Sequence, residues 1–142
     1  MPQGRQLAAF FTNQMITVIQ QHMTNEAAIM MEDNLTQVWN ERDPALRLQA
    51  IGRLYTGDAS LYHVGEQVSG PDAINNSVSA TQKMLPEHFV FTRLKPVVIN
   101  NDIGRLIWGA GPAGQSPVAT GMDVAQFENG RIKSLYVFLD KE

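Results

Sequence analysis

The N-terminal third of the chain alternates apolar and polar residues with the period of an α-helix. One stripe, spaced three or four residues apart, consists of Leu7, Phe11, Met15, Val18 and Ile19. This spacing predicts an amphipathic helix over residues 5–22. Thr24 and Asn25 are common N-cap residues and predict the start of a second helix. Asp43 followed by Pro44 predicts the start of a third.

The apolar period changes from about 3.6 to 2 after Gly57. Residues 59–69 alternate on both sides of Gly65, which predicts a short hairpin. A further helix is expected after Gly70, and residues 88–140 consist of strand-like segments separated by turn residues. Helices followed by a mostly antiparallel sheet predict an α+β fold. At 142 residues, the chain is expected to form one domain over residues 1–142.

Composition excludes several classes of protein. The formal charge is −3 without a Lys/Arg cluster, so nucleic acid is not an expected partner. No segment approaches the roughly 20 apolar residues that cross a bilayer, so we expect a soluble, cytoplasmic protein. The segment GAGPAG fits a dinucleotide motif in its letters, but a strand-like segment follows it instead of a helix. A glycine-rich hairpin is therefore expected there.

Two titratable residues lie within predicted strands and share a face with core-type residues. His63 is on the face of Leu61, and Asp123 is on the face of Ala125. A buried carboxylate needs a partner or takes up a proton, and a nearby histidine would be a base poised near neutral pH. The alternative is that both residues are structural, with Asp123 exposed or bonded to a backbone amide. The three histidines lack metal-ligand spacing, so no metal site is predicted.

Several segments in order resemble the nuclear transport factor 2-like superfamily, in its SnoaL-like and ketosteroid-isomerase-like branch. They are Trp39 to Asp43, RLYTGDASLYHVG, SGPDAI, Trp108 and DVAQFENGRI. The resemblance covers residues 25–140 and implies a cone, in which a curved, mixed, mostly antiparallel sheet wraps around N-terminal helices. Residues 1–24 lie outside it as an extra helical segment. Such proteins include isomerases, dehydratases, polyketide cyclases and noncatalytic binders, and they are commonly dimers.

The resemblance also suggests roles for individual residues. It places His63 at the general base of ketosteroid isomerase and Asp123 at the protonated aspartate of its oxyanion hole, a system that is itself a standard example of a neutral buried carboxyl group. The oxyanion-hole tyrosine falls near Leu35, which has no proton to donate. His63 and Asp123 are expected within reach of a direct or water-bridged hydrogen bond. The expected pocket residues are Leu35, Trp39, Tyr55, Trp108 and Met122.

Two functions follow as alternatives. One is acid–base isomerisation, dehydration or cyclisation of a small apolar carbonyl compound through an enolate, with no cofactor and no metal. The other is a noncatalytic ligand-binding or dimerisation module of the same fold. The last predicted strand has apolar residues on both faces, including Tyr136 and Phe138, so a homodimer through the outer sheet face is expected. The helix over residues 5–22 is expected to dock on the body or on a partner chain.

Overall fold

The computed structural model describes the backbone of residues 2–140 and the side chains of residue 9 and residues 12–140. Helix α1 spans Pro2–Asp33 and continues into a π-helical segment, Asn34–Trp39. Helix α2 spans Pro44–Leu54 and helix α3 spans Pro71–Lys83. No helix among these residues is both long enough and apolar enough to span a membrane.

The predicted helix start at Thr24 and Asn25 is wrong, because α1 is continuous through both residues. The Asn25 side chain accepts a hydrogen bond from Gln21 Nε2 at 3.0 Å, one turn back on the same helix. Its polar group is therefore used within the helix instead of capping a new one. The predicted start at Asp43 is confirmed, since its carboxylate accepts from Ala45 N at 2.9 Å and Pro44 is the first helical residue.

Seven strands form one sheet in the order β2-β1-β7-β6-β5-β3, with β4 paired to β5. Their bounds are Tyr55–His63 (β1), Glu66–Ser69 (β2), Phe89–Arg93 (β3), Val98–Asn100 (β4), Ile103–Pro112 (β5), Ala119–Glu128 (β6) and Arg131–Leu139 (β7). The pairing of β1 with β7 is parallel and every other pairing is antiparallel. The sheet is therefore mixed, and the predicted α+β class is confirmed.

The core lies between the helices and one face of the curved, unclosed sheet. Alternation along the strands buries residues such as Leu106, Leu135 and Ala125 on this inner face. Ile51 of α2 and Val78 of α3 are fully buried from the helical side. The predicted hairpin is formed by β1 and β2, and GAGPAG lies at the turn between β5 and β6 as expected.

Candidate functional site

A cavity of about 590 Å³ lies between the inner sheet face and the helices, and its size is typical of a small-molecule site. Its lining is mostly apolar. The lining residues come from the π-helical segment, from α3 and the residues after it, and from six regions of the sheet: Leu35, Trp39, His63, Val64, Glu66, Thr81, Met84, Leu85, Phe91, Trp108, Ala110, Ala119, Asp123, Val137 and Leu139. The few ionisable groups on this surface are therefore the ones able to do chemistry.

Asp123 is the buried carboxyl group of the cavity. It lies on β6 between Gly121 and Ala125, which face the same side, and it is 3% exposed. Burial raises the pKa of Asp123 to about 7, and the hydrogen bond from Trp108 offsets only part of this effect. Near neutral pH this side chain is therefore divided between its charged and neutral forms.

The indole of Trp108 holds the Asp123 carboxyl group in place. Trp108 Nε1 donates to Asp123 Oδ1 at 2.9 Å, while Oδ2 has no hydrogen bond among the described residues. Trp108 is paired in register with Gly121, and a Cβ at Gly121 would overlap the Trp108 ring. The missing side chain thus lets the indole lie across β6 and reach a carboxyl group two residues further along.

A second buried polar group lies beside Asp123. The hydroxyl of Tyr55 donates to Asn34 Oδ1 at 2.5 Å, and both residues are buried. Burial and then the negative charge of Asp123 raise the pKa of Tyr55 well above its usual range. The indole N–H of Trp39 approaches the Tyr55 oxygen but is outside hydrogen-bond geometry, and Nε1 has no acceptor among the described residues.

His63 lies at the end of β1 and is half-buried in the wall of the cavity. In the sheet it is two strands away from Asp123. Its Nε2 is 2.7 Å from Ser77 Oγ and 3.2 Å from Glu66 Oε2. The Ser77 hydroxyl can donate to Nε2 or accept from it, depending on which ring nitrogen carries the proton, and the Glu66 contact becomes an ion pair when the ring is protonated. Nδ1 has no partner among the described residues. The sequence predicted a possible contact with Asp123, but the partners of His63 come from β2 and α3.

His63 and Asp123 line the same cavity without a hydrogen bond between them. Val137 is paired with Asp123, and the β1–β7 register, continued by one residue, brings His63 beside Val137. Two strand spacings place the Cα atoms of His63 and Asp123 roughly 10 Å apart. The prediction that both side chains line one pocket is confirmed, and of the expected direct or water-bridged hydrogen bond the direct form is absent among the described residues. The two groups border a space that a ligand can occupy.

The other predicted pocket residues divide into two groups. Leu35, Trp39 and Trp108 line the cavity. Tyr55 does not, because its side chain is buried behind the wall against Asn34. Met122 does not either: it is next to Asp123 on an alternating strand and pairs with Phe138 on the outer face. Naming Met122 as a pocket residue was wrong, and the period of two alone excludes it.

Three polar residues at or near the site were not predicted from the sequence: Glu66, Ser77 and Asn34. Ser77 is one helical turn after Ile74 and one before Thr81 on the apolar stripe of α3, so its position pointed inward. Glu66 faces His63 because the tight turn between β1 and β2 pairs these two residues. Asn34 gave no signal, since the π-helical segment that buries it shifts the helical spacing.

Similarity to solved structures concerns the fold. No protein-family model and no curated protein matches this sequence. A proposed isomerase of the SnoaL-like family from Agrobacterium tumefaciens is 22% identical, with a TM-score of 0.75 over 82% of this chain and 99% of that one. A proposed SnoaL-like polyketide cyclase from Jannaschia sp. CCS1 is 11% identical, with a TM-score of 0.69 over 83% and 88%. A proposed ketosteroid isomerase from Kribbella flavida is 10% identical, with a TM-score of 0.63 over 84% and 81%. The chain therefore has the cone fold of nuclear transport factor 2-like proteins.

Proposed function

We propose that the cavity binds a small, mostly apolar carbonyl compound and catalyses an isomerisation, dehydration or cyclisation through its enolate. The observation that carries the proposal is Asp123, a carboxyl group with a pKa of about 7 that faces an apolar cavity and has one free oxygen. An ionisable group whose pKa is strongly shifted by burial, and which lies in a cleft, is a candidate for a functional site. The three similar structures are proposed isomerases or cyclases, which agrees with this chemistry.

His63 acts as the general base. Its Nδ1 lone pair takes a proton from the carbon next to the substrate carbonyl, the C–H electron pair forms the C=C bond of the enolate, and the C=O π pair moves onto the oxygen. In the tautomer that leaves Nδ1 free, Nε2 donates to Ser77 Oγ, and the Glu66 carboxylate 3.2 Å from Nε2 stabilises the imidazolium that forms. Returning the proton to a different carbon completes an isomerisation, so protons and electrons balance without a cofactor.

Asp123 acts as the hydrogen-bond donor to the enolate oxygen. Because Trp108 occupies Oδ1, the carboxyl proton lies on Oδ2, the oxygen that is free to face a ligand. A donor aimed at developing negative charge in a dry site is worth about 10²–10³ in rate. Leu35 lines the cavity where the resemblance would place a second donor, so this site relies on Asp123 more heavily.

The test measures hydrogen–deuterium exchange at the α-carbon of small apolar ketones in D₂O by NMR. We expect the wild-type protein to accelerate exchange and His63→Ala to lose about 10²–10⁴-fold. Asp123→Asn keeps a donor and should lose less than Asp123→Leu, which has none. His88→Ala is the matched control, since His88 is exposed and does not line the cavity.

Three outcomes are distinguishable. Exchange that depends on His63 but not on His88 supports the enzyme. Ketones that bind in equilibrium dialysis without accelerated exchange indicate a noncatalytic binder and contradict the catalytic proposal. Exchange that survives His63→Ala unchanged removes His63 from the mechanism.

A further inference from the structure

Helix α1 extends well past the part of the protein on which it rests. Its 32 residues span about 48 Å at 1.5 Å per residue. Near its C-terminal end Met31 is 2% exposed and packs over Gly104, where a Cβ would overlap the Met31 sulfur. All residues from 12 to 23 are exposed. Residues 12–23 of α1 therefore do not pack against the rest of the chain.

The exposed part of α1 carries an apolar stripe on its outer side. Its members are between 47% and 67% exposed and are Met15, Ile16, Val18, Ile19, Met23 and Ile29. Ile29 precedes Met31 by two residues, or 200° around the helix, so one is buried while the other faces water. The stripe and the buried side of α1 that carries Met31 face in roughly opposite directions. The rest of the same chain therefore cannot cover the stripe. Leu7 and Phe11, predicted to belong to it, have side chains outside the described residues.

The stripe is set in an uncharged stretch of sequence. Residues 6–25 contain no Asp, Glu, Lys or Arg. Helices that bind anionic lipid surfaces carry Lys and Arg on their polar face, and nucleic acid binding needs the same charges. Neither partner has anything to attract it here. An uncharged apolar surface matches another uncharged apolar surface, and a two-fold dimer supplies one from the same sequence.

We propose that α1 of one chain pairs antiparallel with α1 of a second copy through the stripe defined above. This inference does not depend on the proposed catalytic function. An isolated helix of this length, rich in Gln, Asn and Thr, is marginal in water, and a partner helix supplies the packing that stabilises it. Antiparallel pairing also places opposite ends of the two helix dipoles side by side.

The apolar area is consistent with a modest dimer. Six roughly half-exposed side chains supply about 300 Å² of apolar surface per chain. Two chains and the polar atoms around the stripe bring the total to about 900 Å², since about 65% of such interfaces is apolar. This is below the roughly 1,200 Å² of stable interfaces and in the range of weak ones, so we expect the pairing to depend on protein concentration.

The test uses the absence of cysteine from the chain. Single cysteines at Met15, Ile19 and Met23 are compared with one at Thr17, which is exposed and lies about 160° around α1 from Ile19. In an antiparallel pair centred near Ile19, mild oxidation should link Ile19→Cys chains at least about tenfold faster than Thr17→Cys chains. An antiparallel pair also predicts that mixed Met15→Cys and Met23→Cys chains crosslink to each other faster than either does to itself.

Sedimentation velocity supplies the second measurement. Ile19→Glu should lower the oligomeric state of the wild-type protein by one step, while Thr17→Glu on the opposite side of α1 leaves it unchanged. Ile19 is exposed and the body should melt at the same temperature in both variants, which separates loss of pairing from loss of folding. A step from tetramer to dimer supports the proposal as fully as a step from dimer to monomer.

Other results overturn it. Equal oligomeric states for the wild-type protein and Ile19→Glu exclude pairing through the stripe. Crosslinking as fast from Thr17→Cys as from Ile19→Cys excludes a specific face. Wild-type protein that sediments with phosphatidylcholine–phosphatidylserine vesicles, while Ile19→Glu does not, assigns the stripe to a lipid surface instead of a second copy.

Discussion

Trp108 donates its indole N–H to Asp123 Oδ1 across 2.9 Å, and this is the single hydrogen bond that the Asp123 side chain makes among the described residues. The pair lies on adjacent antiparallel strands, β5 and β6, over the bare backbone of Gly121. One neutral donor does not replace the hydration that a carboxylate loses on burial. The stability of the protein should therefore depend on the protonation state of Asp123.

The first prediction concerns pH and Asp123→Asn. The folded pKa of about 7 lies above the unfolded value near 3.9, so between these values the native state binds more protons than the unfolded state. The contribution of Asp123 to the free energy of unfolding then falls as pH rises from about 4 to 7 and is constant above. The total fall is roughly 4 kcal/mol at 1.36 kcal/mol per unit.

Asparagine keeps an acceptor for Trp108 and does not titrate. We expect the unfolding free energy of Asp123→Asn to rise relative to that of the wild-type protein as pH increases from about 4 to 7. Urea unfolding at pH 4.5 and pH 8 would measure this change. Asp102→Asn, at an exposed turn, is the control and should show no such trend. A constant difference between Asp123→Asn and the wild-type protein would falsify the raised pKa.

The second prediction compares one substitution at the two tryptophans. Trp108→Phe removes the partner of a buried carboxyl group and should cost more at pH 8, where Asp123 is ionised, than at pH 5. Trp39→Phe removes an N–H that has no acceptor among the described residues, so little hydrogen-bond energy is lost. Both changes lose similar ring volume next to the same cavity.

The measurement is the free energy of unfolding of both variants at the two pH values. The cost of Trp108→Phe should grow by about 1–3 kcal/mol from pH 5 to pH 8, the usual effect of leaving a buried polar group unpaired. That of Trp39→Phe should stay constant. Equal pH dependence for both variants would show that the Trp108 hydrogen bond does not stabilise the ionised form.

The sequence predicted the features that local chemistry determines. Asp43 and Pro44 begin α2 because a cap and a first-turn proline act over three residues. Burial of Asp123 followed from the alternation of β6 with Ala125 on the same face. Features that depend on distant segments were missed. The exposed stripe and the buried side of α1 belong to one continuous helix. The residues around Thr24 and Asn25 do not themselves show that the helix continues through them.

The site itself was only half predictable for the same reason. His63 and Asp123 were identified, but their partners lie elsewhere in the chain: Ser77 on α3 and Trp108 on β5. Pairing of this kind depends on strand register and helix packing, which a single sequence does not reveal. The distance between the two groups likewise depends on Val137 of β7, whose place between β1 and β6 is a property of the sheet order.

The third prediction concerns Arg47, a charged residue that is 1% exposed. Its guanidinium donates to Asn75 Oδ1 at 2.9 Å, to Ser79 Oγ at 2.6 Å and to Gln82 Oε1 at 2.6 Å, and these bonds join α2 to α3. Burial lowers the pKa of Arg47, which remains charged. Arg47→Met should cost about 3–5 kcal/mol because it strands several buried acceptors at once.

Thermal and urea unfolding of Arg47→Met measure this cost. Arg53→Met is the matched control, since in the described part of the chain the Arg53 guanidinium donates only to Gln37 Oε1, on an exposed surface. This substitution should cost less than about 1 kcal/mol. Similar stabilities for the two variants would mean that the bonds between α2 and α3 are dispensable.

The last prediction concerns the outer face of the sheet, where a homodimer was expected from the sequence. Tyr62 and Tyr136 are paired in register, and their rings stack with centroids 4.4 Å apart at 6°. Phe138 is 51% exposed on the same face and pairs with Met122. Exposed aromatic surface on adjacent strands is typical of an interface.

We predict that Phe138→Glu weakens self-association independently of Ile19→Glu on α1, because no contact among the described residues links the two surfaces. Thr92→Glu, on the exposed edge strand β3, is the control. If the sheet face and α1 both pair with second copies, each single variant should lower the oligomeric state by one step in sedimentation velocity, and the double variant should be a monomer. A Phe138→Glu protein with the wild-type oligomeric state would instead leave α1 as the one surface through which these chains associate.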